Sequence, residues 1–220
     1  MKQFFPVLKC SPLFSGVGDD DLAALCDCLQ AKPVLYQKGE SVFHRGDAPC
    51  SVMILAQGSL LIQRDDYWGN RSILGAVGGG EIFGEAYAAP DSGVMENDVV
   101  AAEDSVVVFF DSKKLLTVCP SACRYHTLVI RNLFYAVSEK NRKLVRKLGH
   151  MAKRTTREKL LSYLSEEAAR QNSATFSIPY NRQQLADFLA VDRSAMSNEL
   201  SKMRDEGLLT FQKNHFTLFK

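Results

Sequence analysis

The hydrophobic and polar positions of the chain follow three different patterns, one after another. In residues 34–111, short β-rich runs alternate with turns made of glycine and aspartate. In residues 121–151, apolar positions recur every three or four residues without an internal proline. In residues 180–209, two short amphipathic patterns are separated by a break at Ala190 and Val191. These patterns predict a many-stranded β unit, a long helix and a pair of short helices.

The β-rich region is predicted to form a small antiparallel unit. Turns such as KGE, RGDAP, AQGS and RDDYWGN separate its strands. Several short strands with regular turn signals are typical of a sandwich or jelly roll, whose mouth can hold a small ligand. The predicted strands are residues 51–55, 59–63, 71–77, 99–102 and 105–110.

A long helix is predicted over residues 121–151, and one side of it carries an apolar seam. The steps of three and four residues match the a and d positions of a two-stranded coiled coil. Asn141 lies inside the seam, where a polar residue can fix register and stoichiometry by pairing with its symmetry mate. A helix that packs its seam on its own domain shows the same spacing, so that alternative stays open. The predicted dimer interface consists of Ile130, Phe134, Val137, Asn141, Leu144, Leu148 and Met151, preceded by Thr127.

The last pattern predicts a helix-turn-helix with a wing. Asn181 and Gln184 can form a capping box for the first helix, and Asp192 can cap the second. Gly207 ends the second helix, and two short strands around Asn214 indicate a winged variant. The apolar side of the second helix consists of Met196, Leu200 and Met203.

The distribution of charge favours DNA binding over an ordinary pair of helices. Residues 121–220 hold 18 Lys and Arg against 9 Asp and Glu, a net charge of +9. Residues 1–120 hold 9 against 16, a net charge of −7. A basic C-terminal part is suited to neutralising DNA phosphates, whereas the acidic part needs a different role.

The composition excludes several classes of protein. With 220 residues, 46% hydrophobic and 24% charged, the chain fits two small globular domains. No segment approaches a membrane span, and the N-terminus lacks a secretion signal, so no membrane partner and a cytoplasmic location are expected. No nucleophile with a plausible base occurs, and the GGGE run lacks the Lys and Ser/Thr of a phosphate-binding loop. The chain is therefore not expected to be an enzyme.

The six cysteines are expected to be free thiols in a reducing compartment. No C-x2-C pair occurs, and Cys26 and Cys28 do not face the same way on a helix. Cys119 and Cys123 flank Pro120 as a weak pair. No metal site is predicted, although sensing of redox state or a metal cluster through the cysteines stays an alternative.

The order of these parts, over nearly the whole chain, resembles the cyclic-AMP receptor protein and FNR family of bacterial transcription regulators. Three motifs carry the resemblance. KGESVFHRGDAPCSVMILAQGSLLI is similar to the family's early strands, GGGEIFGEAYA to its effector-binding cassette, and NRQQLADFLAVDRSAMSNELSKMRDEGLL to its helix-turn-helix.

The resemblance implies an α+β fold of three parts: a cyclic-nucleotide-binding-like jelly roll in residues 1–120, a dimerisation helix in residues 121–151, and a winged helix-turn-helix domain in residues 152–220. It implies a homodimer that reads a palindromic operator on double-stranded DNA and works with RNA polymerase. A regulatory subunit that carries the same domain without binding DNA is the alternative.

The cassette departs from the family's nucleotide-binding pattern. Gly84 and Glu85 match its Gly-Glu pair, but Met95 stands ten residues after the Glu, where an Arg binds the cyclic phosphate. No Lys or Arg occurs in residues 72–111, which contain eight acidic residues, so cyclic AMP is disfavoured.

An unidentified small molecule, neutral or cationic, is the expected effector, with no certain cofactor. Two alternatives stay open. In the first, the missing cation is supplied by Arg124, by Arg131 or by the partner subunit. In the second, the cassette senses no effector. The predicted effector-binding residues are Gly84, Glu85, Ala86, Met95, Glu96, Ser138 and Asn141.

The resemblance also assigns roles in the helix-turn-helix. It places Arg193, Ser194, Ser197 and Asn198 towards the bases, with Arg193 as the candidate guanine ligand and Lys202 farther along. Many family members carry Glu at the position of Ser194 and Arg at that of Asn198, so an operator different from the family consensus is expected. Phosphate contacts are assigned to Arg182 and Lys213. The segment 149–156 is the expected hinge.

Overall fold

The computed structural model describes residues 1–68, 71–89, 93–117 and 124–219. They divide into two compact units, Met1–Glu139 and Lys140–Lys220. The helices are α1 (Phe5–Cys10), α2 (Asp19–Cys28), α3 (Ser112–Leu116), α4 (Arg124–Met151), α5 (Thr156–Arg170), α6 (Arg182–Leu189) and α7 (Arg193–Asp205). None of the helices in these ranges is long and apolar enough to cross a membrane.

The first unit contains two four-stranded antiparallel sheets. One sheet has the strand order β1-β8-β3-β6, and the other has the order β2-β7-β4-β5. The strands are β1 (Lys32–Tyr36), β2 (Ser41–Phe43), β3 (Ser51–Gln57), β4 (Leu60–Asp65), β5 (Arg71–Val77), β6 (Ile82–Phe83), β7 (Asp98–Ala101) and β8 (Ser105–Asp111). The five strands expected from the sequence are therefore present, with ends that differ by no more than a few residues.

Three strands of the first unit were not predicted, for two physical reasons. Strands β2 and β6 have three and two residues, too few to show an alternating pattern. Strand β1 carries Pro33 and lies at the edge of its sheet, where proline is tolerated because no partner needs its missing N–H.

The sheet that contains β3 is covered on both faces. Val52 and Ile54 pack in a cluster with α1, α2 and the start of α4, whereas Met53 and Leu55 pack in a second cluster between the two sheets. Successive side chains of a strand point to opposite faces, so a strand buried on both faces must be apolar throughout. The uninterrupted run VMIL in β3 is the consequence.

The first half of α4 packs on the jelly roll through a side different from the predicted seam. Val129 and Leu133 belong to the same cluster as the N-terminal helices. Asn132 is buried and donates from Nδ2 to the carbonyl oxygens of Leu13 and Ser15, at 3.0 and 2.8 Å. Within this first half, the seam residue Phe134 is exposed. The predicted start of this helix at Ser121 lies outside the described residues.

The second unit ends in a winged helix-turn-helix. The strands β9 (Thr175–Ser177), β10 (Leu209–Gln212) and β11 (His215–Leu218) form a three-stranded sheet with the order β10-β11-β9. The wing hairpin around Asn214 is confirmed, whereas β9 was too short to be predicted. Helices α5, α6 and α7 and this sheet enclose one core, whose fully buried members include Leu185, Leu200 and Phe216. We call residues 156–219 the reading head.

Candidate DNA-binding and effector sites

Capping interactions fix where the two motif helices α6 and α7 begin. The Asn181 side chain accepts from the Gln184 backbone, and the Gln184 side chain accepts from the Asn181 backbone, as the capping box predicted. Ala190 adopts a left-handed conformation with φ of 50° and ends α6. Asp192 Oδ1 then accepts from the Ala195 backbone N–H at 2.7 Å. The orphan amides at the start of α7 are thus partly satisfied, which stabilises its first turn.

One side of α7 is buried and the opposite side is exposed. Met196, Leu200 and Met203 are fully buried, as predicted. The predicted DNA-binding residues Arg193, Ser194, Asn198 and Lys202 are exposed, and Ser197 is half-buried. Because the buried side fixes the rotation of the helix, these polar groups share a single exposed surface. A helix with such a surface has the chemistry that a major groove accepts.

Two cations of α5 hold the turn and α7, and neither was predicted from the sequence. Lys159 Nζ donates to the carbonyl oxygens of Leu189 and Ala190, at 3.2 and 3.1 Å, where α6 ends. Arg157 forms ion pairs with Glu199, at 3.3 Å, and with Glu206. Both partners of Arg157 lie more than 40 positions away in the chain, so no local spacing rule applies to it.

The two residues assigned to phosphate have different surroundings. Arg182 stacks its guanidinium over the rings of Phe211 and Phe216, with centroid distances of 4.6 and 5.1 Å. Burial beside these rings lowers the pKa of Arg182. Lys213 is exposed at the tip of the wing, with φ of 52°. Both residues line one cleft of about 460 Å³. Within this cleft, the guanidinium of Arg182 packs on an aromatic ring.

Gly84 is required by the packing around it. It has φ of 74° and precedes a short 3-10 turn, Glu85–Tyr87. A Cβ at this position would overlap the end of the Met53 side chain. Glycine therefore satisfies both the left-handed backbone and the close approach of Met53. The predicted effector-binding residues Glu85 and Ala86 lie in this turn, half-buried and exposed respectively.

Met95 occupies the interior of the jelly roll. Its side chain is 5% exposed and packs in the cluster that contains Met53 and Phe83. Its backbone is held by Gly46 and Asp47, with hydrogen bonds of 2.8 Å to each. Glu96, the next residue, is exposed. The position at which nucleotide-binding relatives would place an Arg thus contributes apolar volume to the core.

The remaining predicted effector residues lie on α4. Ser138 is half-buried, and Asn141 is exposed and belongs to the second unit. Arg131, considered as a substitute cation, is exposed, and the side chain of Arg124 lies outside the described residues. A cleft of about 430 Å³ opens beside the 3-10 turn, lined by Ala48, Pro49, Cys50, Tyr87, Ala88, Ala89, Gly93, Val94, Ser112 and Lys113.

The predicted seam of α4 is largely exposed within one chain. Phe134 is 69% exposed, Leu144 55% and Leu148 54%. Val137 and Asn141 are exposed, whereas Ile130 and Met151 are half-buried. Apolar side chains at these positions form a largely exposed strip on the helix.

The described cysteines differ in their surroundings. Cys10 and Cys50 are exposed and Cys26 is buried. Burial, with a smaller contribution from Asp27, raises the pKa of Cys26 to about 11, which disfavours the reactive thiolate. Within the described ranges no three His, Cys, Asp or Glu side chains are grouped as metal ligands. Cys119 and Cys123 lie outside those ranges.

Both parts of the chain match known domain families. Residues 33–121 match the cyclic nucleotide-binding domain, and residues 158–219 match the Crp-like helix-turn-helix domain. The cyclic AMP receptor protein of Thermus thermophilus is 24% identical over 202 residues, which are 92% of this chain and 89% of that protein.

Two solved structures share the fold. The catabolite activator protein of Thermus thermophilus is 23% identical, with a TM-score of 0.54 and coverage of 95% of this chain and 94% of its own. CprK, solved as a complex with OCPA, is 19% identical, with a TM-score of 0.68 and coverage of 90% and 89%. The predicted α+β fold, with a β-rich N-terminal domain, a long helix and a C-terminal helix-turn-helix, is confirmed. Because both domains occur in this order along one chain, the protein belongs to the cyclic-AMP receptor protein and FNR family of transcription regulators.

Proposed function

We propose that the protein is a sequence-specific DNA-binding regulator that acts as a homodimer and responds to an effector other than cyclic AMP. The observation that carries the proposal is the exposed side of α7. It presents a guanidinium, hydroxyls, an amide and an ammonium group on a helix whose opposite side is fully buried. Such groups are those that recognise base edges and phosphates in a major groove.

The dimer is supported by the exposed strip on α4. The side of this helix that packs on the jelly roll carries Val129 and Leu133, so the predicted seam remains available. A second copy of the same helix would cover Phe134, Leu144 and Leu148 and would pair Asn141 with its symmetry mate. Two reading heads related by a twofold axis would read a palindromic operator. Such a regulator would act on RNA polymerase bound beside the operator.

The effector proposal is supported by the charge and packing of the cassette. A cyclic phosphate would meet acidic residues and no cation from residues 72–111. It would also meet Met95 and Met53, which already fill the adjacent core. The relatives indicate that this fold accepts different ligands, since one is a cyclic AMP receptor and another was solved with OCPA. A neutral or cationic small molecule fits these surroundings better than a cyclic nucleotide.

Regulation would follow from a two-state equilibrium. An effector changes DNA affinity only if it binds one arrangement of the dimer better than the other. Residues 152–155 separate α4 from α5 and form a bend within the second unit. We expect this bend to be the place where the reading head changes its orientation on the seam helix.

A salt titration tests DNA binding itself. The protein is expected to be retained on a nonspecific duplex, with log affinity falling linearly with log salt concentration because phosphate contacts release counterions. Specific binding should show a similar slope with a much smaller dissociation constant. Retention that is absent at low salt, or that does not change with salt, would support a helix-turn-helix that docks a protein instead.

Isothermal calorimetry tests the effector proposal. Cyclic AMP is expected to give no saturable heat of binding at concentrations up to about 1 mM. A dissociation constant of about 1 mM corresponds to a binding free energy of roughly 4 kcal/mol, so any binding should be weaker than that. Cyclic GMP is the matched control for a phosphate-driven interaction and should behave in the same way. A saturable isotherm with a sub-millimolar dissociation constant for either nucleotide would overturn the proposal.

A further inference from the structure

We infer that His150 is a positioning residue that holds the reading head in its DNA-competent orientation on the end of α4. The inference rests on the proposed function, because it concerns how two heads are aligned on one palindrome. His150 lies in the last turn of α4, directly before the bend at residues 152–155. All of the contacts that support it lie within the second unit.

The imidazole of His150 has a polar partner at each nitrogen, a hydrogen bond with Ser162 and a close contact with the carboxylate of Glu166. Its Nδ1 lies 2.9 Å from Ser162 Oγ, and its Nε2 lies 3.2 Å from Glu166 Oε2. The ring is 5% exposed, and Ser162 and Glu166 are both on α5. In the tautomer that carries its proton on Nε2, Nδ1 accepts from the Ser162 hydroxyl and Nε2 lies beside the Glu166 carboxylate. One side chain thus joins α4 to α5 across the bend.

The imidazole of His150 also lies near aromatic rings of α5 and α6. The His150 and Tyr163 rings are almost perpendicular, with centroids 5.7 Å apart, and the Phe188 ring lies 6.5 Å away. Phe188 belongs to α6 and stacks on Tyr180 at 4.9 Å. His150 therefore contacts both the supporting helix α5 and the first helix of the reading motif. We call His150, Ser162, Glu166 and Phe188 the His150 cluster.

Two further charged side chains of α4 lie beside the cluster. Arg146, one turn earlier on α4, places Nη1 3.8 Å from Glu166 Oε1. Lys147 places Nζ 5.3 Å from the centroid of Phe188. The single carboxylate of Glu166 is thus shared by two side chains of α4. A change at Ser162 affects only the His150 contact, whereas a change at Glu166 affects both.

The His150 cluster differs from the apolar contacts of the reading head because its polar contacts depend on direction. Apolar packing tolerates small rotations, whereas a buried imidazole with two fixed partners is satisfied in only one arrangement of α4 and α5. A rotation at the bend would leave a buried polar group without partners, which is unfavourable. The cluster therefore favours a single orientation of each head relative to the helix that carries the dimer seam.

The orientation of the reading head relative to α4 should affect the affinity for a palindromic duplex but not the affinity for a half-site. Two heads must meet two half-sites one helical turn apart at the same time. A single head that binds a half-site can do so in any orientation relative to α4. If only a fraction of molecules has the competent arrangement, the apparent dissociation constant rises in inverse proportion to that fraction. Loss of the His150 cluster should thus weaken palindrome binding selectively.

The test compares full-site and half-site duplexes, chosen by selecting a palindrome from a random pool with the wild-type protein. The variant His150→Phe keeps a ring of similar size without the two polar contacts, and Ser162→Ala removes the hydrogen bond. Both are expected to weaken palindrome binding by about tenfold, the scale of one to two lost hydrogen bonds. Half-site binding and the melting temperature of the head should change little.

Two further variants make the comparison specific. His150→Gln keeps a donor and an acceptor at this position and should restore part of the lost affinity. Arg146→Ala removes the second contact to Glu166 and leaves His150 in place, so it should bind the palindrome nearly as well as wild type.

The possible results separate the inference from the proposed function. If His150→Phe binds the palindrome as tightly as wild type, or loses full-site and half-site binding equally, the inference is wrong and the proposed function stands. If the wild-type protein selects no duplex at all, the proposed function is wrong and the inference fails with it.

Discussion

Arg193 and Lys213 are both exposed cations of the reading head, and they are expected to affect DNA binding in different ways. Arg193 is the first residue of α7, where its guanidinium can bind guanine O6 and N7. Replacing Arg193 with Ala should cost about 1–3 kcal/mol at one base position and relax specificity there. Competition binding with operators that vary in each base measures this effect.

Lys213→Ala is the matched control for Arg193→Ala, because it also removes one positive charge. Lys213 lies at the tip of the wing, so its loss should weaken binding to all sequences alike and reduce the salt slope by roughly one unit. An Arg193→Ala variant with unchanged site preference would show that α7 is not the helix that reads the bases.

At the same scale, local interactions were predictable and tertiary ones were not. The caps at Asn181 and Asp192 depend on residues three positions away, so they can be read along the chain. The contacts of Lys159 with the end of α6 and the stacking of Arg182 on the wing join residues about 30 positions apart. Arg182 was predicted as a phosphate ligand, and its stacking over two rings could not be read from the sequence.

At the scale of a turn, Gly84 should be less replaceable than Gly46, although both have positive φ. Gly84→Ala combines a left-handed backbone with overlap of Met53, and should lower the free energy of unfolding by about 2–4 kcal/mol. Gly46→Ala is the control, because Gly46 has φ of 98° and nothing within 4 Å of its would-be Cβ. It should cost only about 1–2 kcal/mol. Urea denaturation of both variants measures the difference.

A double variant identifies the cause of the Gly84 effect. Met53→Ala alone should be destabilising, because it leaves a cavity in a fully buried cluster. Combined with Gly84→Ala, it removes the overlapping atoms, so the double variant should lose less stability than the two single variants together. Equal costs for Gly84→Ala and Gly46→Ala, or strict additivity, would show that Met53 does not restrict this turn.

Elements were predictable where their pattern was long enough. The long helix, the two motif helices and the longer strands show several repeats of their period, and the structure contains all of them. The two- and three-residue strands β2, β6 and β9 exist because neighbouring strands pair with them, which no local pattern records. The seam of α4 was recognised, but the sequence did not reveal that Asn132 ties another side of the helix to the N-terminal segment.

At the scale of the whole molecule, the exposed strip on α4 predicts a dimer. Leu144→Glu and Leu148→Glu should each raise the dimer dissociation constant by at least about tenfold, because burying one leucine contributes roughly 1.5–3 kcal/mol. Sedimentation equilibrium at micromolar concentration measures the change. The folding of each chain should be unaffected, since both side chains are more than half exposed in one copy.

Lys143→Glu is the matched control for the seam variants. Lys143 is exposed and adjoins Leu144 in sequence, but it points away from the seam because successive residues of a helix face different directions. It introduces the same acidic side chain and should leave the dimer intact. A wild-type monomer at these concentrations, or equal effects of Lys143→Glu and Leu144→Glu, would contradict the proposed interface.

The architecture of the whole molecule was more predictable than its ligand. The order of β unit, long helix and winged helix-turn-helix follows from periodicity alone, and the charge difference between the two parts of the chain indicates which part meets DNA. The proposed effector site would depend on a few side chains around Gly84, and their arrangement is set by packing from distant strands. Met95 shows this dependence, because only the folded structure reveals that it fills the core.

The pairing of the first strand with the last strand of the jelly roll has a consequence for how the chain reaches its native state. In the register of β1 and β8, Lys32 is opposite Phe109 and Tyr36 is opposite Ser105. During synthesis, β1 leaves the ribosome long before its partner exists, and such distant contacts make folding slow. The reading head is built from contacts within residues 156–219, so it can fold as soon as it is made. The jelly roll is therefore expected to fold more slowly than the reading head, although all of its strands are synthesised first.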